Sequence, residues 1–121
     1  MEKLFDGEYK LMEILWQTGA VHSARLVELC AQRLGWKKST TYTVIKRLTE
    51  RGVVQTEDAV VTARVSRDEV QRAESRAFVE RNFSGSLPSF LNAFVGGRGL
   101  SAEEADELRR MIADFEEKRN D

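Results

Sequence analysis

Residues 37–48, KKSTTYTVIKRL, place short hydroxyl side chains between two pairs of cations. Hydroxyl groups donate to and accept from base edges and phosphates, and threonine methyl groups pack against the methyl group of thymine. Lysine and arginine neutralise phosphate charge. In a helix with about 100° between successive residues, one face carries this chemistry. Its residues are Ser39, Tyr42, Thr43 and Lys46, with Arg47 at the edge. The spacing predicts a nucleic-acid contact, and a solvated helix face with a serine cap is the alternative.

The opposite face of the same helix is the predicted core face. It carries Thr41, Val44, Ile45 and Leu48. We expect the helix to start near Ser39 and to end at Arg51, before Gly52. Free N–H groups and the helix dipole attract anions at such a start, and the adjacent Lys37 and Lys38 add positive charge.

Two further helices are predicted before this one, and a hairpin after it. Asp6 and Ser23 are suitable N-caps for GEYKLMEILWQTG and ARLVELCAQRLG, and glycine ends each segment. The β-branched runs VVQTE and VVTARV are joined by Asp58-Ala59, which predicts a hairpin although the turn lacks glycine. Three helices followed by a two-stranded hairpin are the order of a winged helix-turn-helix.

The second half of the chain is predicted to be helical. Capping boxes of the form Ser-x-x-Glu begin at Ser66 and Ser101, and a short apolar helix, SFLNAFV, lies between them. The glycine cluster GGRG is predicted to be a flexible link before the last helix. The predicted fold class is therefore mainly α with a small β-hairpin: a winged helix-turn-helix over residues 1–65, followed by a helical region over 66–121.

Charge is focused on the candidate contact. The chain of 121 residues has a net charge of −1, which argues against a protein that binds any nucleic acid through overall charge. Residues 37–51 carry five Lys/Arg and one Asp/Glu, a net charge of +4. The positive charge therefore lies around the third helix.

Several functional classes find no support in the sequence. No apolar run approaches the roughly 18–20 residues of a membrane span, and no signal peptide is recognisable, so membrane insertion is not expected. The single cysteine, Cys30, cannot form an internal disulfide, and a reducing cytoplasm is the expected location. His22 and Cys30 cannot supply the four ligands of a structural metal site. With no catalytic motif or phosphate-binding glycine loop, we expect neither an enzyme nor a cofactor.

The apolar residues of the second half predict self-association. Three short helices cannot easily hide this much apolar surface in a monomer, so a homodimer interface is expected, with a compact single-chain core as the alternative. The candidate interface residues are Phe78, Phe83, Leu87, Phe90, Leu91, Phe94, Leu108, Met111, Ile112 and Phe115.

Four segments carry a resemblance to a known family. FDGEYKLMEILWQTG, WKKSTTYTVIKRLTERG, VSRDEVQRAESRAF and FSGSLPSFLNAF, between about residues 4 and 118, resemble the penicillinase-repressor (BlaI/MecI) family. The resemblance implies a bacterial repressor with an N-terminal winged helix and a C-terminal dimerisation region. It also implies a homodimer on double-stranded palindromic operators, often with TACA/TGTA half-sites.

The resemblance also carries over to particular residues. Thr40, Thr43 and Arg47 match the family's recognition helix, and Tyr42 stands where many members have lysine. The wing departs from the family, because Glu57 and Asp58 near its tip would repel phosphate. The candidate DNA-binding residues are therefore Lys37, Lys38, Ser39, Thr40, Tyr42, Thr43, Lys46 and Arg47.

The resemblance implies a way of relieving repression. Some members are cleaved within the C-terminal helices after a membrane sensor peptidase is triggered, and the matching bond lies near Ala93-Phe94, beside Asn92. The alternative is that Phe90 and Phe94 are dimer-core residues.

The sequence thus predicts a repressor that binds a palindromic operator as a homodimer. A protein-interaction adaptor on a winged-helix scaffold is the alternative from another class, because the net charge and the wing are both acidic. A transcription activator is a third interpretation.

Overall fold

The computed structural model describes residues 3–120 and confirms the predicted fold class. The described residues form helices α1 (Asp6–Thr18), α2 (Ser23–Leu34), α3 (Lys38–Glu50), α4 (Arg67–Phe83), α5 (Leu87–Val95) and α6 (Ala102–Asn120). The strands are β1 (Val21–His22), β2 (Val54–Glu57) and β3 (Val60–Ala63). None of the helices in this part of the chain is long and apolar enough to cross a membrane.

The helix starts differ from the predicted caps by one residue. Phe5, rather than Asp6, is the N-cap of α1, and its N–H donates to the Glu8 carboxylate at 2.9 Å. His22, rather than Ser23, caps α2, because its Nδ1 accepts from the Ala24 N–H at 3.1 Å. His22 is exposed, and its capping role was not predicted from the sequence.

The wing is part of a three-stranded antiparallel sheet in the order β1-β3-β2. Glu57 pairs with Val60, and the turn between them has φ values of +50° at Asp58 and +64° at Ala59. A two-residue hairpin turn of type I′ needs positive φ at both central residues, so the predicted hairpin forms although the turn lacks glycine. The short strand β1, on the other side of β3, was not predicted.

The core lies between the three N-terminal helices, the sheet and the start of α4. Trp16 lies beside it, and its indole Nε1 donates to the Val65 carbonyl at 2.9 Å. The apolar residues with 0% exposure are Leu11, Met12, Leu15, Leu26, Cys30, Leu48, Val61 and Val70.

The C-terminus of α3 passes directly into the wing. Gly52, with φ of +75°, follows the C-cap Arg51, and its N–H donates to the Thr49 carbonyl at 3.1 Å. The Val53 N–H donates to the Leu48 carbonyl at 2.9 Å. These two bonds are the Schellman motif, and both Val53 and Leu48 are buried. The motif fixes the direction in which the chain leaves α3.

The chain forms two compact units that divide within α4, between Ala77 and Phe78. The first turns of α4 belong to the N-terminal unit, because Val70 is fully buried and Glu74 accepts from the Leu4 N–H at 3.1 Å. The N-terminal compact unit therefore includes the first turns of α4. The assignment of DNA binding to residues 1–65 and of dimerisation to residues 66–121 stays a prediction.

The C-terminal unit has no buried residue between 78 and 119. Its aromatic rings contact one another, with centroid distances of 5.6 Å between Phe83 and Phe90 and 6.1 Å between Phe78 and Phe90. The link GGRG is hydrogen-bonded back onto α5, with the Gly96 N–H donating to the Asn92 carbonyl at 2.9 Å and the Gly99 N–H to the Val95 carbonyl at 2.8 Å. The link is thus a defined turn in this structure.

Candidate DNA-binding surface

Helix α3 separates a buried face from an exposed one as the sequence predicted. Thr41, Val44, Ile45 and Leu48 are all buried. The structure brings the eight candidate DNA-binding residues together on the first three turns of α3 and just before it, and all eight are exposed. They are Lys37, Lys38, Ser39, Thr40, Tyr42, Thr43, Lys46 and Arg47.

Two exposed threonines of α3 satisfy their hydroxyl protons within the helix. Thr43 Oγ1 donates to the Ser39 carbonyl at 2.9 Å, and Thr49 Oγ1 donates to the Ile45 carbonyl at 2.8 Å. Such bonds to the preceding turn are common for threonine in helices. With its proton donated, the exposed Thr43 side chain keeps an acceptor oxygen and a methyl group. These suit an amino group of a base and a thymine methyl, respectively.

Tyr42 and Lys38 form a pair on the exposed face. They are one helical turn apart, and the Lys38 ammonium lies 5.9 Å from the centroid of the Tyr42 ring. A cation at this distance is attracted to the ring face. The tyrosine therefore holds the lysine near the first turn of α3, where the lysine can reach a phosphate.

The N-terminus of α3 is open to an anion. The first N–H groups of an α-helix have no acceptor within the helix. Lys37 is the N-cap, and its side chain makes no capping hydrogen bond. The free N–H groups, the helix dipole and Lys37 together form a favourable site for a phosphate oxygen.

A buried ion pair anchors the other end of α3. Arg51 Nη1 donates to Glu8 Oε1 of α1, and Arg51 Nη2 donates to the Lys3 carbonyl at 2.7 Å. The Glu8 side chain is only 2% exposed, and its Oε2 has no hydrogen-bond partner among the described residues. Arg51 counts towards the positive charge of residues 37–51, but the structure uses it to fix α3 to α1.

The wing carries negative charge at its tip. Glu57 and Asp58 are exposed, and Glu57 Oε2 accepts from Gln55 Nε2 at 3.2 Å. The ion pairs between described side chains include neither carboxylate. Arg64 is the only cation between residues 53 and 65. The exposed positive charge of the winged helix therefore lies on α3 rather than on the wing.

Cys30 is a core residue. Burial raises the pKa of the Cys30 thiol, and a hydrogen bond with Thr41 opposes the shift. The thiol is therefore neutral at physiological pH, and thiolates are the reactive form. Within residues 3–120, no group of three or more His, Cys, Asp and Glu side chains could hold a metal ion.

The candidate interface residues of the C-terminal unit are largely exposed. Phe115 is 64% exposed, Leu87 58% and Ile112 55%. Leu91 and Leu108 line an open cleft of about 190 Å³ between α5 and α6, together with Phe94 and Met111. Phe78, Phe83 and Phe90 belong to the ring cluster described above. These side chains form an apolar surface that the described chain leaves in contact with water.

The fold and the exposed face of α3 define a winged helix-turn-helix protein whose third helix presents hydroxyl and cationic side chains. A family model described as Penicillinase repressor matches residues 5–114. The chain belongs to this family of DNA-binding transcriptional repressors.

Three relatives illustrate the range of similarity. The chain is 20% identical to a penicillinase repressor of Bacillus licheniformis, over 98% of this chain and 96% of the relative. It is 23% identical to the methicillin resistance regulatory protein MecI of Staphylococcus aureus strain N315, over 91% and 93% of the two chains. It is 38% identical to an uncharacterized 16.5 kDa protein of Latilactobacillus sakei, over 88% and 75%. The similarity thus spans both compact units.

Proposed function

We propose that the protein is a homodimeric transcriptional repressor that binds a palindromic operator and inserts α3 into the major groove. The observation that carries the proposal is the composition of the exposed face of α3, because eight side chains suited to bases and phosphates lie on one accessible surface. Residues 1–65 would supply the DNA contacts, and residues 66–121 would supply the dimer.

The C-terminal unit supports the dimer. An apolar surface without a buried core is unfavourable in water, and a second copy would cover it. The two-fold symmetry of such a dimer matches a palindromic site. Tethering two recognition helices also makes the second half-site contact intramolecular, which raises the affinity without new contacts.

A binding assay on duplex DNA tests the proposal. Fluorescence anisotropy would compare a palindrome of TACA/TGTA half-sites with a scrambled duplex of the same length and composition. We expect tighter binding to the palindrome, at a stoichiometry of two chains per duplex. Equal binding to both duplexes would contradict the assignment of an operator-binding repressor.

The acidic wing favours a second candidate, a protein-interaction adaptor on a winged-helix scaffold. Glu57 and Asp58 are exposed at the wing tip, and neither belongs to an ion pair between described side chains. An adaptor would not show the steep loss of affinity with added salt that counterion release from DNA causes. The salt dependence of DNA binding therefore distinguishes the two functions.

Relief of repression by proteolysis is part of the proposal, with a membrane sensor peptidase as the triggering partner. Asn92, Ala93 and Phe94 have exposed side chains, but they lie inside α5. The Arg98 guanidinium lies 5.1 Å from the centroid of the Phe94 ring. A protease needs an extended substrate, so cleavage requires the last turn of α5 to open.

Mass spectrometry of the protein from induced cells tests the cleavage. A fragment ending between Asn92 and Phe94 should appear as the target genes are derepressed. Derepression without this fragment would leave Phe90 and Phe94 as residues of the dimer core.

A further inference from the structure

The wing tip is attached to the start of α2. The Ser23 N–H donates to the Ala59 carbonyl in the wing turn at 2.8 Å. Val60 of β3 pairs with His22 on one side and with Glu57 on the other. His22, Val60 and Glu57 therefore form one row across the sheet, on the side opposite the buried Val61. The wing tip cannot move away from α2 without breaking these bonds.

The start of α2 has two of its first N–H groups already bonded. Ser23 N–H donates to Ala59, and Ala24 N–H donates to His22 Nδ1. Because these two N–H groups are occupied, the usual anion attraction of a helix N-terminus is weakened at α2, in contrast to the open N-terminus of α3. In helix-turn-helix proteins the helix before the recognition helix crosses the sugar–phosphate backbone.

The carboxylates of the wing tip lie at this same place. Glu57 is the β2 residue that pairs with Val60, and Asp58 follows it in the wing turn. Neither carboxylate belongs to an ion pair between described side chains. With α2 across the backbone as in other helix-turn-helix proteins, the wing tip would face phosphates when α3 is in the groove.

We infer that Glu57 and Asp58 are affinity-lowering residues, which repel the DNA backbone on the wing side of the complex. The inference depends on the proposed DNA binding. Phosphate attraction is independent of sequence and dominates non-specific binding. Repulsion at the wing lowers this part of the affinity on every duplex, so base contacts of α3 supply a larger share of the remainder.

The double substitution Glu57→Gln and Asp58→Asn tests the inference. Asparagine is favoured at the positive φ of a type I′ turn, so the hairpin should keep its geometry. Screened Coulomb repulsion between two carboxylates and nearby phosphates predicts a gain in affinity of about three- to ten-fold at 0.1 M salt. The gain should be similar on the palindrome and on the scrambled duplex, and it should shrink as salt is added.

The matched control is Glu116→Gln with Glu117→Gln, which changes the net charge equally at exposed positions of the separate C-terminal unit. The control should bind like the wild type, and sedimentation should show the same oligomeric state for all three proteins. Glu57→Gln alone, which leaves the turn residues unchanged, should give part of the gain.

Unchanged or weaker binding by the folded wing variant would overturn the inference, as would an equal gain in the control. Weaker binding on the palindrome alone would instead assign the carboxylates an attractive contact with a base. Failure of the wild type and of both variants to bind any duplex at low salt would overturn the proposed function itself.

Discussion

The buried ion pair between Arg51 and Glu8 should be a major source of stability for the N-terminal unit. The substitution Arg51→Met keeps an unbranched apolar side chain but removes the guanidinium, and it leaves Glu8 as a buried carboxylate without its cation. Breaking a buried pair in this way costs about 3–5 kcal/mol. The Arg51 side chain is 20% exposed and Glu8 only 2%, so we expect a loss near the lower limit, about 3 kcal/mol.

Urea unfolding, followed by the fluorescence of Trp16 and Trp36, measures this loss. In thermal unfolding, a loss of about 3 kcal/mol would lower the Tm of the N-terminal unit by roughly 12–24 °C. The control is Arg25→Met, because the Arg25–Glu28 pair is 55% and 61% exposed, and exposed pairs contribute at most about 1 kcal/mol.

The double variant Glu8→Gln with Arg51→Met removes both charges, and it should regain at least half of the lost stability. If Arg51→Met were no more destabilising than Arg25→Met, the pair would not be the anchor of α3 that its burial indicates.

Three further predictions concern α3, the C-terminal unit and the core. Thr43→Val replaces the exposed hydroxyl by a methyl group and also removes its bond to the Ser39 carbonyl; the preference for the palindrome in competition assays should fall about five-fold with little change in stability. Lys46→Ala should weaken binding to every duplex and flatten the salt slope by about 1 per subunit. Ile112→Glu should yield monomers in sedimentation velocity, because it places a charge in the proposed interface; Ala113→Glu, 100° further round α6, should leave the dimer intact, and monomers from both or neither would refute the interface. Because burial raises the pKa of the Cys30 thiol, the folded protein should react with an aromatic disulfide reagent at pH 7.5 only at its unfolding rate; rapid modification of folded protein would contradict the burial.

The elements with strong local signals could be predicted from sequence. The capping box at Ser101 forms in both directions, with the Glu104 N–H donating to Ser101 Oγ at 3.0 Å and the Ser101 N–H donating to Glu104 Oε1 at 3.3 Å. The two faces of α3 followed from helical periodicity, because one of them must pack against the core. These features depend on residues three or four positions apart.

Other features depend on contacts between distant residues. Strand β1 has two residues, too few for any alternation of side chains, and it exists because Val21 and His22 pair with β3. The capping role of His22 and the pair between Glu8 and Arg51, 43 positions apart, have no local signal either. Packing of Val70 also carries the N-terminal unit into α4, which no composition change marks.

The salt dependence of operator binding tests the central claim most directly. Each subunit presents Lys37, Lys38, Lys46 and Arg47 on the exposed face around α3. If each of these cations in both subunits of a dimer neutralises one phosphate, a plot of the logarithm of the association constant against the logarithm of the salt concentration should have a slope of about −7. The quadruple substitution of these residues by alanine should reduce the slope to near zero. A wild-type affinity independent of salt, or a steep slope that survives the quadruple substitution, would contradict the assignment of α3 as the DNA-binding helix.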